Sequence, residues 1–146
     1  MIKLSKLTDY ATVIIGFMGR SRDNYISVLQ ICRGTQIQKP TVAKVLKILA
    51  SAGLVQSLRG AQGGYKLVNP VEDVALIDII EAVEGPVALT ECVSQKGSCV
   101  LENVCEFHGR WGGVNEALRT FFAGIPVTEL MRGNARNAFK TTENLK

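Results

Sequence analysis

Residues 54–68 read LVQSLRGAQGGYKLV, and this stretch decides the fold class. The apolar period changes here from about 3.6 to 2, so residues 54–59 and 65–68 each read as a strand. Between them, residues 60–64 hold three glycines and form a turn. The stretch therefore predicts a β-hairpin.

Three helices are predicted before this hairpin, over residues 8–19, 26–33 and 38–52. The first carries apolar side chains at i, i+3, i+4, i+7 and i+8: Tyr10, Val13, Ile14, Phe17 and Met18. The third has Pro40 in its first turn and Gly53 just past its end, where each residue type is favoured. Three helices followed by a glycine-rich hairpin are the order of a winged helix-turn-helix.

Beyond the hairpin, residues 74–84 are predicted to be helical with Asp73 as the cap. Residues 86–108 show no clean period and read as a loop, which at this length is usually functional or disordered. Residues 110–123 are predicted to be helical again. The chain thus divides into a winged helix-turn-helix (1–70), a cysteine loop with a long helix (71–131) and a tail (132–146). The predicted fold class is mainly α with a small β-hairpin wing.

The charge of the chain is distributed unevenly. Residues 1–66 hold ten Lys or Arg and two acids, net +8, whereas residues 67–146 hold seven basic and eleven acidic residues, net −4. A basic module favours an anionic partner, most often nucleic acid. A solvated, lysine-rich surface would have the same composition.

In a winged helix the third helix enters the major groove and the wing touches the flanking DNA backbone. The predicted DNA-contacting residues lie on that helix and at the wing tip: Gln38, Lys39, Thr41, Lys44, Lys47, Arg59 and Gly60. Amide and amine side chains can contact bases, and Lys and Arg can also only neutralise phosphates. The expected partner is double-stranded DNA.

One winged helix covers a half-site, so a homodimer on an operator with two half-sites is expected. The helix at 110–123 is the expected dimer element, because it offers more apolar surface than a terminal helix needs. Its apolar set is Trp111, Val114, Leu118, Phe121 and Phe122. These side chains could instead pack on their own domain.

Three of the four cysteines and the only histidine follow the spacing Cys92-x6-Cys99-x5-Cys105-x2-His108. Structural zinc sites usually pair ligands at x2 to x4, which only Cys105 and His108 approach. The wider gaps favour an iron–sulfur cluster modestly over a single ion. The fourth cysteine, Cys32, reads as a small core side chain.

Composition excludes several classes of protein. No apolar run reaches membrane-span length, no signal peptide is evident, and a cytoplasmic protein with reduced thiols is expected. No carboxylate pair or activated serine is visible, so neither an enzyme nor a small-molecule substrate is expected. A zinc-stabilised DNA-binding protein without a cluster, or a thiol sensor, remains an alternative. An electron-transfer or cluster-carrier protein would not need the basic half.

The chain resembles the Rrf family of bacterial winged-helix regulators, with its IscR, NsrR and RirA types. The matching stretches are residues 6–11 (KLTDYA), 53–65 (GLVQSLRGAQGGY) and 79–85 (IIEAVEG), then the three-cysteine loop and the helix from Trp111. The resemblance covers about residues 1–131. The opening segment looks most like regulators of the Suf iron–sulfur assembly operon.

This resemblance implies a homodimer and an iron–sulfur cluster whose iron is held by Cys92, Cys99 and Cys105. In the IscR type a histidine completes a [2Fe–2S] site, and His108 falls at the matching place. In the NsrR type the cluster is [4Fe–4S] and the fourth ligand comes from elsewhere. His108 favours [2Fe–2S]. The implied function is a cluster-sensing regulator, expected to be a repressor, of cluster-assembly genes. A nitric-oxide- or redox-responsive repressor is the alternative within the family.

Overall fold

The computed structural model describes residues 3–21, 24–60, 63–94, 99–101, 104–107 and 109–132. Seven helices and two strands lie in these ranges. They are α1 (Lys6–Gly19), α2 (Val28–Thr35), α3 (Lys39–Ser51), β1 (Val55–Leu58), β2 (Gly64–Leu67), α4 (Leu76–Glu84), α5 (Glu91–Ser94), α6 (Arg110–Ala123) and α7 (Val127–Met131). The predicted fold class, mainly helical with a hairpin wing, is confirmed. None of these helices combines the length and apolar character needed to cross a membrane.

Local side-chain chemistry explains where the first helices begin. The Ser5 hydroxyl accepts a hydrogen bond from the Thr8 N–H at 3.3 Å and caps α1. At α2, the Ser27 hydroxyl accepts from the Gln30 N–H, and the Gln30 side chain accepts from the Ser27 N–H at 2.8 Å. Each pair satisfies backbone donors that have no partner within the helix. Gly53 ends α3 with φ of +74°, as predicted for that glycine.

The hairpin is antiparallel, with Val55 opposite Leu67 and Leu58 opposite Gly64. It is also joined to the segment before α2, because Ile26 and Tyr65 exchange two backbone hydrogen bonds of 2.9 Å. A Cβ on Gly64 would lie 2.5 Å from the Ile26 carbonyl oxygen, so this junction requires glycine. The wing is therefore fixed to the helices at the start of α2 as well as at the end of α3.

One hydrophobic core joins the elements on both sides of the hairpin. Ile14 of α1 and Leu46 of α3 are fully buried in it. Ile79 of α4 and Val127 of α7 are equally buried in the same cluster. The start of α7 is joined to the start of α4 by hydrogen bonds from Leu76 to Ile125 and from Val127 to Val74. Helices α4 and α7 are therefore packed on the winged-helix core.

Two predicted local features are wrong. Asp73 does not cap α4, because it lies in a 3-10 turn at Val71–Asp73. Asp78, inside the helix, accepts the Ala75 N–H instead at 2.9 Å. The predicted loop over residues 86–108 contains α5, which places Cys92 on a helical turn. A helix of four residues is too short to show a period in the sequence.

Candidate nucleic-acid interface and cysteine segment

The predicted reading residues lie outside the buried face of helix α3, with Gln38 as its N-cap. Val45 and Leu49 are fully buried. Gln38, Lys39, Lys44 and Lys47 are exposed, and Thr41 is half-buried. Because the apolar side of α3 is packed in the core, its lysines are left free to meet an anionic partner.

The wing tip carries the other two predicted contact residues, Arg59 and Gly60, and both are exposed. Gly60 has φ of +120° and accepts the Gly63 N–H at 2.9 Å, which closes the turn. Ala61 and Gln62 lie outside the described residues. A hydrogen bond from the Leu54 N–H to the Leu49 carbonyl, 2.9 Å long, fixes the start of β1 to the end of α3.

One basic group on the hairpin was not among the predicted contact residues. Lys66 of β2 places its Nζ 5.3 Å from the centroid of the Tyr25 ring. A cation over an aromatic face is held in position by the ring's negative face. Its place in the predicted second strand of the wing, directly after Tyr65, was the sequence signal that could have indicated it.

Helix α6 exposes most of its predicted apolar set. Val114 and Phe121 are 53% and 52% exposed and Trp111 is 42% exposed. Leu118 and Phe122 are half-buried. Large apolar side chains at this exposure on one helix face usually mark an interaction surface. Within the described part of the chain, this face of α6 is left open to solvent.

Next to this apolar face, a second side of α6 is attached to α4 and to the segment after it by polar side chains. Arg119 binds Glu81 through two hydrogen bonds, from Nε at 2.9 Å and from Nη2 at 3.3 Å. The hydrogen bond from Arg119 lowers the pKa of Glu81 below its usual range. Asn115 is buried and its amide contacts the backbone of Val87 and Leu89. Sequence reasoning did not predict a role for Arg119, Glu81 or Asn115. The position of Asn115 among the apolar residues of α6 was a signal that could have indicated its role.

A second carboxylate of α4 contacts the beginning of α1. The Ser5 N–H donates to Glu84 Oε1 at 2.9 Å, and the Thr8 hydroxyl donates to the same oxygen. Hydrogen bonds from Ser5 and Thr8 lower the pKa of Glu84. Helix α4 is thus joined through Glu84 to the winged helix and through Glu81 to α6.

The three clustered cysteines lie between α4 and α6. Cys92 is on α5, and Cys99 and Cys105 are in the segment that follows it. All three are half-buried free thiols, and Cys92 Sγ lies 3.1 Å from the Thr90 hydroxyl. His108 lies outside the described residues. Among the residues that are described, no three His, Cys, Asp or Glu side chains are gathered as metal ligands.

The donor types nevertheless fit an iron–sulfur cluster, which is held chiefly by cysteine thiolates. Free and half-buried thiols can be deprotonated and bound, whereas a disulfide could not. Among the described residues between Cys92 and α6, Val100, Val104 and Phe107 are 96%, 76% and 62% exposed and are not packed in the core. The chemistry of the cysteine segment therefore fits the cluster, and an assembled ligand set would require the segment to rearrange.

Comparison with known proteins identifies the family and the relatives of this chain. Residues 4–133 match the Rrf2 family, described as iron-dependent transcriptional regulators. The transcriptional regulator NsrR of Bacillus subtilis is 31% identical, over 84% of this chain and 83% of its own. The regulator IscR of Vibrio campbellii is 30% identical, over 91% of this chain and 79% of its own.

The fold of this chain is also similar to that of a solved regulator structure. CymR, the global cysteine regulator of B. subtilis, superposes with a TM-score of 0.68 and 26% identity, covering 89% of this chain and 96% of CymR. The family match extends through the winged helix, the cysteine segment, α6 and α7. The chain belongs to the Rrf2 family of winged-helix transcriptional regulators.

Proposed function

We propose that this regulator is a homodimeric repressor of iron–sulfur cluster assembly genes that senses an iron–sulfur cluster. One observation carries the proposal. Three free, half-buried thiols lie on one segment between α4, which packs on the winged-helix core, and α6, which exposes an apolar face. A group bound by that segment would sit between the DNA-binding and dimer-forming parts of the protein.

The DNA-binding part of the proposal rests on α3 and the wing. Gln38, Lys39, Thr41 and Lys44 would face the major groove, because they lie off the buried side of α3. Lys47 would neutralise a phosphate. Arg59 and Gly60 would meet the flanking backbone, where a glycine allows close approach. Acting on DNA, the protein would work in the cytoplasm.

Dimerisation would cover the exposed face of α6. Val114 and Phe121 would be shielded from water by the same face of a second copy, since a twofold axis pairs identical surfaces. Burying apolar area contributes roughly 25 cal/mol per Å². Two winged helices would then meet two half-sites of one operator.

Cys92, Cys99 and Cys105 would hold the iron, with His108 as the fourth ligand, so [2Fe–2S] is favoured over [4Fe–4S]. The family's description as iron-dependent supports iron over zinc. When bound, such a cluster would supply the sensing chemistry, because oxidants or nitric oxide can alter or remove it. The protein's own part is to gather its three thiols by ordering residues 92–108.

Ordering that segment would set the position of α6 relative to α4, and so the angle between the two winged helices of a dimer. Coupling between two sites of this kind is typically about 1–3 kcal/mol, roughly 5–150-fold in affinity. A change of that size is enough for a transcriptional switch.

The first experiment is to purify the protein without oxygen and count iron and acid-labile sulfide per chain beside its visible spectrum. We expect a coloured protein that contains both. Alanine at Cys92, Cys99 or Cys105 should abolish iron binding. Cys32→Ala is the matched control, because Cys32 packs against the core within α2 and should leave iron binding intact.

DNA binding then tests the regulatory part. A duplex selected from random-sequence DNA with the wild-type protein should bind cluster-loaded and metal-free protein with different affinities. Equal affinities would contradict cluster sensing. A protein that stays colourless after reconstitution with iron and sulfide would contradict the cluster, leaving a zinc- or thiol-dependent regulator.

A further inference from the structure

Asn115 is a polar side chain in a position where an amphipathic helix would usually place an apolar one. It is 5% exposed. Its Nδ2 donates to the Val87 carbonyl at 2.9 Å, and its Oδ1 accepts the Leu89 N–H at 3.0 Å. Both polar atoms of this buried amide are paired with backbone groups, and a buried polar group left without its partner is costly, so the amide fixes residues 87–89 to α6.

The fixed residues lead directly into the cysteine segment. The Thr90 carbonyl accepts the Val93 N–H at 3.0 Å and the Ser94 N–H at 3.2 Å, which forms the turn of α5. The Thr90 hydroxyl lies 3.1 Å from Cys92 Sγ. The Cys92 thiol therefore lies on a turn that begins one residue after the backbone held by Asn115.

The same backbone is also held from α4. The Val87 N–H donates to Glu81 Oε1 at 3.4 Å, and that oxygen also accepts Arg119 Nε at 2.9 Å. One carboxylate thus joins α4, α6 and the start of the cysteine segment. Helix α4 contacts both α1 and α3. A displacement of residues 87–89 would therefore be transmitted through α4 to the helices of the DNA-binding core.

We propose that Asn115 is the positioning residue that couples the cysteine segment to the DNA-binding core, with the Glu81–Arg119 pair completing the connection on α4. This inference rests on the proposed function. If the Asn115 amide were purely structural, its loss would lower the stability of the protein and would not change how the state of the cysteines affects DNA affinity. A positioning amide also sets how strongly the state of the cysteines changes the affinity for DNA.

The variant Asn115→Ala tests the contact itself, independently of any cluster. In metal-free protein, the Leu89 amide should exchange its hydrogen about tenfold faster, because it loses its acceptor. Alkylation of Cys92 by iodoacetamide should speed up relative to Cys99 in the same chain. Thr120→Ala, at an exposed position of α6, is the matched control and should change neither rate.

The coupling is measured as the ratio of affinities of loaded and metal-free protein for the selected duplex. Wild-type protein and Thr120→Ala should show the same ratio. In Asn115→Ala the ratio should fall to within about twofold of one, while the metal-free affinity stays within about threefold of wild type.

The outcomes separate this inference from the proposed function. A wild-type ratio of one contradicts cluster sensing and the coupling together. If Asn115→Ala keeps the wild-type affinity ratio although its Leu89 amide exchanges faster, only the role of Asn115 is overturned. Should Asn115→Ala not fold, Glu81→Gln tests the same connection, since it keeps an acceptor for Val87 but loses the charge that binds Arg119. An unchanged ratio in that variant would overturn the inference.

Discussion

At Gly34 the backbone of α2 lies directly against the ring of Phe17. A Cβ built on Gly34 would come within 2.0 Å of a ring carbon. Phe17 packs against the core, so its ring would have to shift to accept a methyl group on Gly34. The close approach of α1 and α2 therefore depends on the absence of a single methyl group.

We expect Gly34→Ala to lower the free energy of unfolding by about 1–3 kcal/mol, because the added methyl overpacks the contact with Phe17. Urea unfolding followed by circular dichroism measures the change. Gly113→Ala is the control substitution. Gly113 lies in α6 with nothing within 4 Å of its Cβ position, so alanine there should add about 0.5–1 kcal/mol. Equal effects at the two glycines would contradict the packing argument.

Among the helices, α4 connects the others through its two carboxylates. Hydrogen bonds lower the folded-state pKa of Glu84 through Ser5 and Thr8, and that of Glu81 through Arg119. A carboxyl whose pKa is lower in the folded state contributes stability that is fully present above its unfolded pKa. That contribution is lost as the pH falls through the folded value.

The stability lost in Glu84→Gln should therefore be largest at pH 7 and shrink in acid, as the pH falls below the unfolded pKa of about 4.3 and through the lowered folded pKa, where the wild-type carboxylate takes up its proton. Urea unfolding midpoints of the variant and the wild type, measured at pH 7 and again in acid, give the difference in stability at each pH. A penalty independent of pH would mean that Glu84 acts through packing alone.

Helix α6 gives a prediction about assembly. Phe121→Arg places a charge on the exposed apolar face, so a dimer formed there should dissociate, and sedimentation should report a monomer. Because Phe121 is 52% exposed, the circular dichroism of the monomer should remain that of folded protein. Thr120→Arg, the adjacent exposed position, should leave the assembly unchanged. A dimer that survives Phe121→Arg would place the interface elsewhere.

For the whole molecule, the positive charge of the first half predicts salt-dependent DNA binding. Each phosphate contact that is removed should reduce the slope of log affinity against log salt by about 0.9. We expect this reduction for Lys47→Gln, with similar losses on specific and random DNA. Arg132→Gln, just past the end of α7, should keep the wild-type slope. An unchanged slope in Lys47→Gln would exclude Lys47 from the phosphate contacts.

Much of the architecture was predictable because it is encoded in local signals. The hydrophobic periods of α1, α3 and α6 placed those helices within two residues of their observed ends. The glycines of residues 60–64 located the hairpin. Asp73 was misassigned as a cap because caps are read from residue type, and Asp78 competes for the same backbone group. The short helix α5 was missed because it shows no period.

Sequence alone established a basic winged helix, a segment rich in cysteine and an apolar helix after it. These features follow from composition and spacing, which are local. The connections among them depended on the tertiary structure. Glu81 with Arg119, Glu84 with Ser5, and Asn115 with Leu89 lie 26 or more residues apart. Such pairs form only when tertiary packing brings α1 and α6 to α4, and no period or motif in a single sequence encodes that proximity.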